Sequence, residues 1–216
     1  MSDRHSQNEA KALGFRVIMN VFEGTNPIFF VALVIYVSIR KHFMTRQPFA
    51  ETEVDAVDSK DRALIVLMAI TVILLPVLYL LTSLFRFADY DLPILLRCCG
   101  MGMIGLSLCL FWRSHADLGV NWSPSLEIRK NHSLVTTGVY VRVRHPMYAS
   151  IWLWCWGQGL MLPNVLIGWA PTFCFALMYF TRVGREEQLM KERFGAAYEK
   201  YMSQTGRLFP KFRLPN

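Results

Sequence analysis

Long apolar runs separated by short charged segments dominate the chain. A helix needs about 20 apolar residues to cross a bilayer, and the second and third runs reach this length. The first run is interrupted by Glu23, Asn26 and Pro27, and the last two are shorter and meet at a Leu-Pro-Asn turn. We predict membrane-spanning helices over 17–39, 63–85, 92–112, 147–162 and 164–181.

A different pattern follows the last apolar run. Met190, Phe194, Tyr198 and Tyr201 recur at helical spacing between charged positions, which predicts an amphipathic helix that packs against the bundle or lies on the bilayer surface. The predicted fold class is therefore all-α. It is an integral-membrane helical bundle of about five transmembrane helices with a C-terminal amphipathic helix.

Composition and charge fit a membrane protein. The chain has 216 residues, 53% of them hydrophobic, and a net charge of +7. Its basic residues lie beside the apolar runs, where anionic lipids explain them, so no nucleic-acid partner is predicted. Lysine and arginine number five in 40–62, one in 86–91, five in 113–146 and eight from Arg182 onward. The positive-inside rule places both rich loops and the C-terminus in the cytosol, in the inner membrane of a bacterium or the endoplasmic reticulum of a eukaryote.

Two features of the sequence could suggest a nucleotide-binding fold or a cysteine-based site, but we predict neither. Gly100–Gly105 matches G-x-G-x-x-G, but it lies inside a predicted span and not between a strand and a helix, so we interpret its glycines as helix-packing positions. The five cysteines lie in apolar runs without C-x-x-C spacing. They indicate neither a disulfide framework nor a metal site.

The stretch HSLVTTGVYVRVRHPMY, residues 132–148, concentrates polar groups directly before an apolar run. Pro146 suits the first turn of a helix and disfavours helical backbone at His145, so we expect a helix to begin here. The free N–H groups of a helix start suit a carboxylate. The stretch is either a basic loop that anchors a transmembrane helix or part of a binding site.

Arg182 and Glu186 are four residues apart and share one helix face, unless Gly184 breaks the helix between them. They could form a surface salt bridge, worth about 0.3–0.5 kcal/mol on an exposed helix. Alternatively, both point into a pocket, where one binds an anion and the other an ammonium group.

Several motifs taken together resemble the isoprenylcysteine carboxyl methyltransferase family of integral-membrane enzymes. They are LVTTGVY and RHPMY, then Arg182 with Glu186-Glu187, and then Phe194-Gly195 with Tyr198 and Tyr201. The likeness covers about residues 118–212. It implies S-adenosylmethionine as the methyl donor, a lipophilic or small-molecule acceptor, and a division into N-terminal membrane helices, 1–112, and a methyltransferase region, 113–216.

The resemblance also implies roles for individual residues. Arg182 would contact the carboxylate of the acceptor. Separately from the resemblance, a thiol acceptor would need deprotonation, for which Glu187 or an arginine-lowered thiol pKa could serve. Ala149 departs from the family pattern, in which a glycine is expected. The implied cofactor contacts are His132, Ser133, Leu134, Val135, Tyr140, His145, Pro146, Met147, Tyr148 and Glu186.

The acceptor stays open at this stage. Carboxyl methylation of a prenylated cysteine is the model reaction that the resemblance implies, and a small thiol or a lipid amine are alternatives. A sterol-type membrane reductase has a similar RHP-tyrosine pattern, and a non-catalytic membrane interaction protein is the third class. Binding of the methyl donor, of a nicotinamide cofactor or of neither would separate the three.

Overall fold

The computed structural model of the chain describes residues 24–46, 52–55, 58–121, 127–129 and 133–211. These residues confirm a helical membrane bundle. Three 3₁₀ turns, Arg86–Ala88, Gly119–Asn121 and Gly138–Val141, lie in the connections. The α-helices are α1 Asn26–Thr45, α2 Ser59–Leu81, α3 Ile94–Leu118, α4 Pro146–Met161, α5 Val165–Phe194 and α6 Ala196–Gln204.

Helices α1, α2, α3 and α5 are long and apolar enough to cross a membrane. Helix α4 has 16 residues, which give it a length of about 24 Å. The interruption expected at Pro27 is instead the start of α1, because proline is tolerated in the first turn. The part of the first predicted span before residue 24 lies outside the described residues.

The predicted boundary between the last span and an amphipathic helix is wrong. Helix α5 continues without a break through Gly184 to Phe194, and the chain turns at Gly195 before α6 begins. Gly195 has a φ of +51°, a conformation that side-chain-bearing residues rarely adopt. Tyr198 and Tyr201 therefore belong to a separate short helix, which folds back against the bundle.

A short antiparallel ribbon joins two connections on one side of the bundle. Strand β1, Thr52–Asp55, pairs with β2, Glu127–Arg129, in the register Val54 to Ile128. The apolar pattern did not predict this ribbon. It links the connection after α1 to the connection after α3.

Two helices of the bundle, α3 and α4, meet at glycines. A Cβ on Gly100 would lie 2.8 Å from the Cβ of Leu160, and one on Gly157 would lie 2.7 Å from Ile104. The helix-packing interpretation is thus confirmed for Gly100, which meets Gly157 and Leu160 of α4. It is wrong for Gly102 and Gly105, since a Cβ at either would meet no described atom within 4 Å.

Prolines interrupt the backbone hydrogen bonds of α2 and α5. A π-helical turn, Ile70–Leu74, precedes Pro76 in α2, and Pro76 has no N–H to donate to the carbonyl of Thr71 five residues earlier. In the same way, Pro171 inside α5 cannot donate to the carbonyl of Ile167. Each proline leaves a carbonyl that needs another donor.

Gln158 of α4 supplies that donor to both carbonyls. Its Nε2 donates to the carbonyl of Thr71 at 3.1 Å and to that of Ile167 at 2.9 Å. Its Oε1 accepts from the indole N–H of Trp154 at 3.1 Å, and the side chain is fully buried. A single amide therefore ties α4 to the interrupted turns of α2 and α5 inside an apolar core.

Candidate active site

One cavity of about 430 Å³ brings most of the predicted site residues together. Its volume lies in the range of about 300–1,000 Å³ that is typical of small-molecule sites. Pro146 and Glu187 are not among its lining residues, and His132 lies outside the described residues. The predicted residues that line it are Ser133, Leu134, Val135, Tyr140, His145, Met147, Tyr148, Arg182 and Glu186.

The loop before α4 is fixed to α3 through a glycine. Gly138 has a φ of +60°, and a Cβ on it would lie 2.1 Å from the carboxylate of Asp117. The same carboxylate accepts a hydrogen bond from the backbone N–H of Val139 at 2.8 Å. Glycine is therefore required here both for its backbone angle and for the close approach of Asp117.

Tyrosines hold the next part of this loop. The hydroxyl of Tyr140 donates to the carbonyl of Ser114 at 3.3 Å, and the carbonyl of Tyr140 accepts from the hydroxyl of Tyr201 at 2.6 Å. Burial raises the pKa of Tyr201 to about 12 and raises the pKa of Tyr140 above its ordinary value. Both hydroxyls therefore remain protonated donors at neutral pH, and the loop is held between α3 and α6.

The helix start predicted at Pro146 is confirmed. His145 occupies the N-cap position with φ −124° and ψ 60° and makes no side-chain hydrogen bond to the first turn. Among the described residues no side chain caps this helix start, so the N–H groups of Met147 and Tyr148 suit a ligand. The rings of His145 and Tyr148 stack with their centroids 5.5 Å apart, which places the histidine over the first turn of α4.

Glu186 is the point at which α4 and α5 meet in the cavity. The hydroxyl of Tyr148 donates a hydrogen bond to its Oε1, and its Oε2 lies 3.7 Å from Nδ1 of His145. Its side chain is 25% exposed. One carboxylate oxygen is thus engaged by the protein, while the other has capacity to accept from a ligand.

Arg182 lies one turn before Glu186, and the continuous α5 places both on one face. The distance between Arg182 Nη2 and Glu186 Oε1 is 3.7 Å, which is too long for a hydrogen bond. Arg182 is 6% exposed, and its Nε has no hydrogen-bond partner among the described residues. The pair is thus a loose ion pair that lines the cavity, and the surface salt bridge raised as one alternative does not describe it, because Arg182 is buried.

Glu187, the next residue, faces a different environment. Its Oε1 accepts from Arg144 Nε at 3.2 Å and from Arg207 Nε at 3.1 Å, and Oε1 lies 3.3 Å from Nε2 of His145. Its Oε2 accepts from a second nitrogen of Arg207. The carboxylate is 6% exposed, accepts hydrogen bonds from Arg144 and Arg207, and does not line the cavity.

The segment after α6 completes the support of this loop. The backbone N–H of Arg144 donates to the carbonyl of Gly206 at 2.9 Å, and the N–H of His145 donates to the carbonyl of Arg207 at 2.9 Å. Val143 and Gly206 form a parallel bridge. The chain beyond α6 thus positions His145 through both its backbone and the Arg207–Glu187 ion pair.

Several lining residues were missed by the sequence analysis. Asn121 accepts from the backbone N–H of Ser133 at 2.8 Å, and Tyr36 and Arg40 of α1 line the opposite wall. The first predicted span ends at residue 39, so the sequence places Arg40 in the loop that follows it. Its signal was a cation directly after an apolar run, which is also the pattern of an interfacial anchor.

Comparisons with known proteins show what the chain is similar to. The family model described as phospholipid methyltransferase matches residues 95–197. A cobalt-zinc-cadmium resistance protein of Cupriavidus metallidurans is 31% identical over 56% of this chain and 52% of its own length. The protein-S-isoprenylcysteine O-methyltransferase of Schizosaccharomyces pombe is 36% identical over 44% of this chain and 42% of its own length. The chain spans about half the length of the curated relatives it matches.

A solved structure extends the likeness to nearly the whole fold. The structure of the eukaryotic intramembrane Ras methyltransferase, isoprenylcysteine carboxyl methyltransferase, matches with a TM-score of 0.56 at 22% identity, over 92% of this chain and 73% of the other. At this identity the match shows the fold alone. Fold, family model and curated relatives agree with the resemblance that the motifs predicted, and the chain is similar to the isoprenylcysteine carboxyl methyltransferases, which are integral-membrane proteins.

Proposed function

We propose that the chain is an integral-membrane methyltransferase that uses S-adenosylmethionine to methylate the carboxylate of a lipid-modified cysteine or a similar amphiphile. The observation that carries this proposal is the convergence of Glu186, Arg182, His145 and Tyr148 on one cavity. The other wall of the cavity is largely apolar. The relatives named as isoprenylcysteine methyltransferases support the same reaction.

The residues present fit the proposed donor. Its ammonium group suits the available oxygen of Glu186, and its carboxylate suits the N–H groups at the start of α4. Tyr140, Tyr148 and Tyr198 line the cavity, and the face of a tyrosine ring suits a sulfonium cation. When bound, S-adenosylmethionine supplies an electrophilic methyl group.

The protein would act mainly by positioning. An ionised carboxylate acceptor needs no general base, so a guanidinium such as that of Arg182 has only to orient it and an apolar wall to exclude water. Glu187 cannot easily serve as a base, because its oxygens already accept from Arg144 and Arg207. We propose instead that Glu187 is a positioning residue that fixes His145.

We also propose that the cavity opens at the cytosolic membrane face. Arg40, Arg144 and Arg182 lie at this end of the bundle, on the same side as the connections that are rich in lysine and arginine. The connection between α2 and α3, at the other end, carries fewer basic residues. An acceptor anchored in the cytosolic leaflet could then reach the cavity from the side.

The test combines transfer and binding. Purified protein is incubated with labelled S-adenosylmethionine and a panel containing a prenylated N-acetylcysteine, phosphatidylethanolamine and a small thiol. We expect label on the carboxylate of the prenylated cysteine. We also expect Glu186→Gln to weaken donor binding at least about tenfold by calorimetry, because a charge-assisted hydrogen bond is worth about 1.5–3 kcal/mol.

The matched control is Glu192→Gln, on the same helix and exposed, which should leave donor affinity unchanged. If label appeared only on the amine or only on the thiol, the proposed acceptor class would be wrong, but the chain would still be a methyltransferase. Absence of donor binding by the wild-type protein would refute the proposed function.

A further inference from the structure

A second cavity lies at the end of the bundle opposite the candidate active site. It has a volume of about 280 Å³, and its lining comes from the start of α1, the end of α2, the α2–α3 connection, the first turn of α3 and the turn between α4 and α5. In α3, Arg97 lines this second cavity and Leu118 lines the first one, which places the two positions about 32 Å apart along the helix. The hydrocarbon core of a bilayer is about 30 Å thick. The two cavities therefore lie toward opposite leaflets.

Hydrogen bonds fix the α2–α3 connection in the wall of the second cavity. Asn164, which is fully buried, donates from its Nδ2 to Oδ1 of Asp89 at 2.7 Å. The hydroxyl of Tyr90 donates to the carbonyl of Gly159 at 3.2 Å and accepts from the indole N–H of Trp169 at 2.9 Å. The connection is thus held on the turn between α4 and α5, and the cavity is formed in the absence of a ligand.

The described lining residues of the second cavity carry two charges of each sign. Arg86 and Arg97 contribute guanidinium groups, and Asp89 and Asp91 contribute carboxylates. A Cβ on Gly24 would lie 3.1 Å from Nη1 of Arg97, so this guanidinium lies between α3 and the start of α1. Charged groups of both signs around one cavity suit a ligand that itself bears an anionic and a cationic group.

Apolar side chains flank the charged residues on both sides in sequence. Leu84 and Phe87, beside Arg86, and Ile94 and Leu95, just before Arg97, are 67–79% exposed. They lie at the end of membrane-spanning helices, where exposed apolar side chains contact acyl chains. The ligand that fits this setting has a charged head for the cavity and apolar tails for the flanking surface.

We propose that the second cavity binds the headgroup of a zwitterionic phospholipid in the leaflet opposite the candidate active site. The phosphate would bind Arg86 and Arg97, and the ammonium group would bind Asp89 and Asp91. An anionic lipid without the ammonium group would leave both carboxylates uncompensated and would bind more weakly. The bound lipid would join α1 and α3 to the α2–α3 connection and would not be a methyl acceptor, since it lies at the other end of the bundle. The inference does not depend on the proposed function.

The test compares two lipids that differ in the ammonium group. Delipidated full-length protein in detergent is titrated with phosphatidylethanolamine or phosphatidylglycerol, and bound lipid is measured by native mass spectrometry. We expect the wild type to bind phosphatidylethanolamine at least about fivefold more tightly than phosphatidylglycerol, and Arg97→Gln to lose at least about fivefold in affinity for phosphatidylethanolamine. Arg97→Lys should recover part of this loss. A lipid bound in the first cavity would be unaffected by Arg97→Gln.

Asp91→Asn tests the opposite charge and does so at an exposed position, so it keeps the test decisive if Arg97→Gln fails to fold. The variant leaves an excess of positive charge, and we expect the preference for phosphatidylethanolamine to disappear or to reverse toward phosphatidylglycerol.

Lys41→Gln is the matched control, because Lys41 is an exposed cation of α1 that does not line the second cavity. It should bind both lipids like the wild type, and inorganic phosphate should not displace bound lipid. Equal affinity of the wild type for the two lipids, unchanged binding by Arg97→Gln, or an unchanged preference in Asp91→Asn would overturn the inference. Displacement by inorganic phosphate would also overturn it, since the site would then bind free phosphate and not a lipid.

Discussion

The cavity has two walls that are built in opposite ways. The C-terminal wall consists of the loop 133–148, the end of α5 and α6, and its polar groups are held by hydrogen bonds and ion pairs from several elements. The N-terminal wall consists of α1 and α2 and is apolar except for Tyr36 and Arg40. Precise polar contacts suit a ligand of fixed shape, and an apolar wall suits a flexible chain.

The two walls also differ in whether they match the family model. The C-terminal wall lies largely within residues 95–197, which match the family model, and the N-terminal wall lies outside them. On the proposed function, the first wall would bind the methyl donor and, through Arg182, the carboxylate of the acceptor, whereas the second would contact the rest of the acceptor. If this division holds, substitutions in the second wall should affect the acceptor and leave donor affinity unchanged.

The largest effect is expected for Glu187→Gln, directly behind the C-terminal wall. The change leaves Arg144 and Arg207 without their shared carboxylate, and breaking a buried ion pair costs about 3–5 kcal/mol. We expect a clearly lower melting temperature in detergent and a loss of donor binding as His145 loses its support. Glu192→Gln, which is exposed on the same helix, should change neither.

The same substitution also distinguishes a positioning role of Glu187 from a role as a general base. If Glu187 acted as a base toward a thiol acceptor, Glu187→Gln would lower kcat while melting temperature and donor affinity stayed at wild-type values. That outcome would return Glu187 to the role of a base for a thiol acceptor. A combined loss of stability and donor binding would confirm the positioning role.

A smaller effect is expected for Gln158→Leu, which removes the hydrogen bonds that join α4 to α2 and α5. The carbonyls of Thr71 and Ile167 would lose their donor in an apolar core, and we expect a free energy of unfolding lower by about 1–3 kcal/mol. Because Gln158 does not line the cavity, donor affinity should stay close to that of the wild type. Gln188→Leu, at an exposed position of α5, is the matched control for thermal unfolding.

The site residues that could be predicted from the sequence share a local signal. The helix start at Pro146 follows from proline chemistry, and the Arg182–Glu186 pair follows from helical spacing within α5. Glu187 shows the limit of such reasoning, because successive residues of a helix point about 100° apart. Its neighbour Glu186 faces the cavity, whereas Glu187 faces Arg144 and Arg207.

The remaining features depend on contacts between distant parts of the chain. Arg40 lines the cavity only because α1 extends to Thr45 and packs against α3 and α4. The function of Gln158 could not be predicted from its own helix, since it depends on prolines in α2 and α5. The break at Gly195 did have a local signal, a glycine within a helical pattern, and the amphipathic periodicity outweighed it.

The smallest effect is expected for Ala69→Phe in the N-terminal wall. Ala69 is a small residue in the part of the cavity formed by α2, and a phenyl ring would take space that an acceptor tail would use. We expect the KM for a prenylated acceptor to rise about fivefold, which corresponds to about 1 kcal/mol, while donor affinity stays unchanged. Ala63→Phe, at an exposed position on the same helix that does not line the cavity, should leave both unchanged. A fall in donor affinity for Ala69→Phe would mean that one ligand contacts both walls, and the division between them would then be wrong.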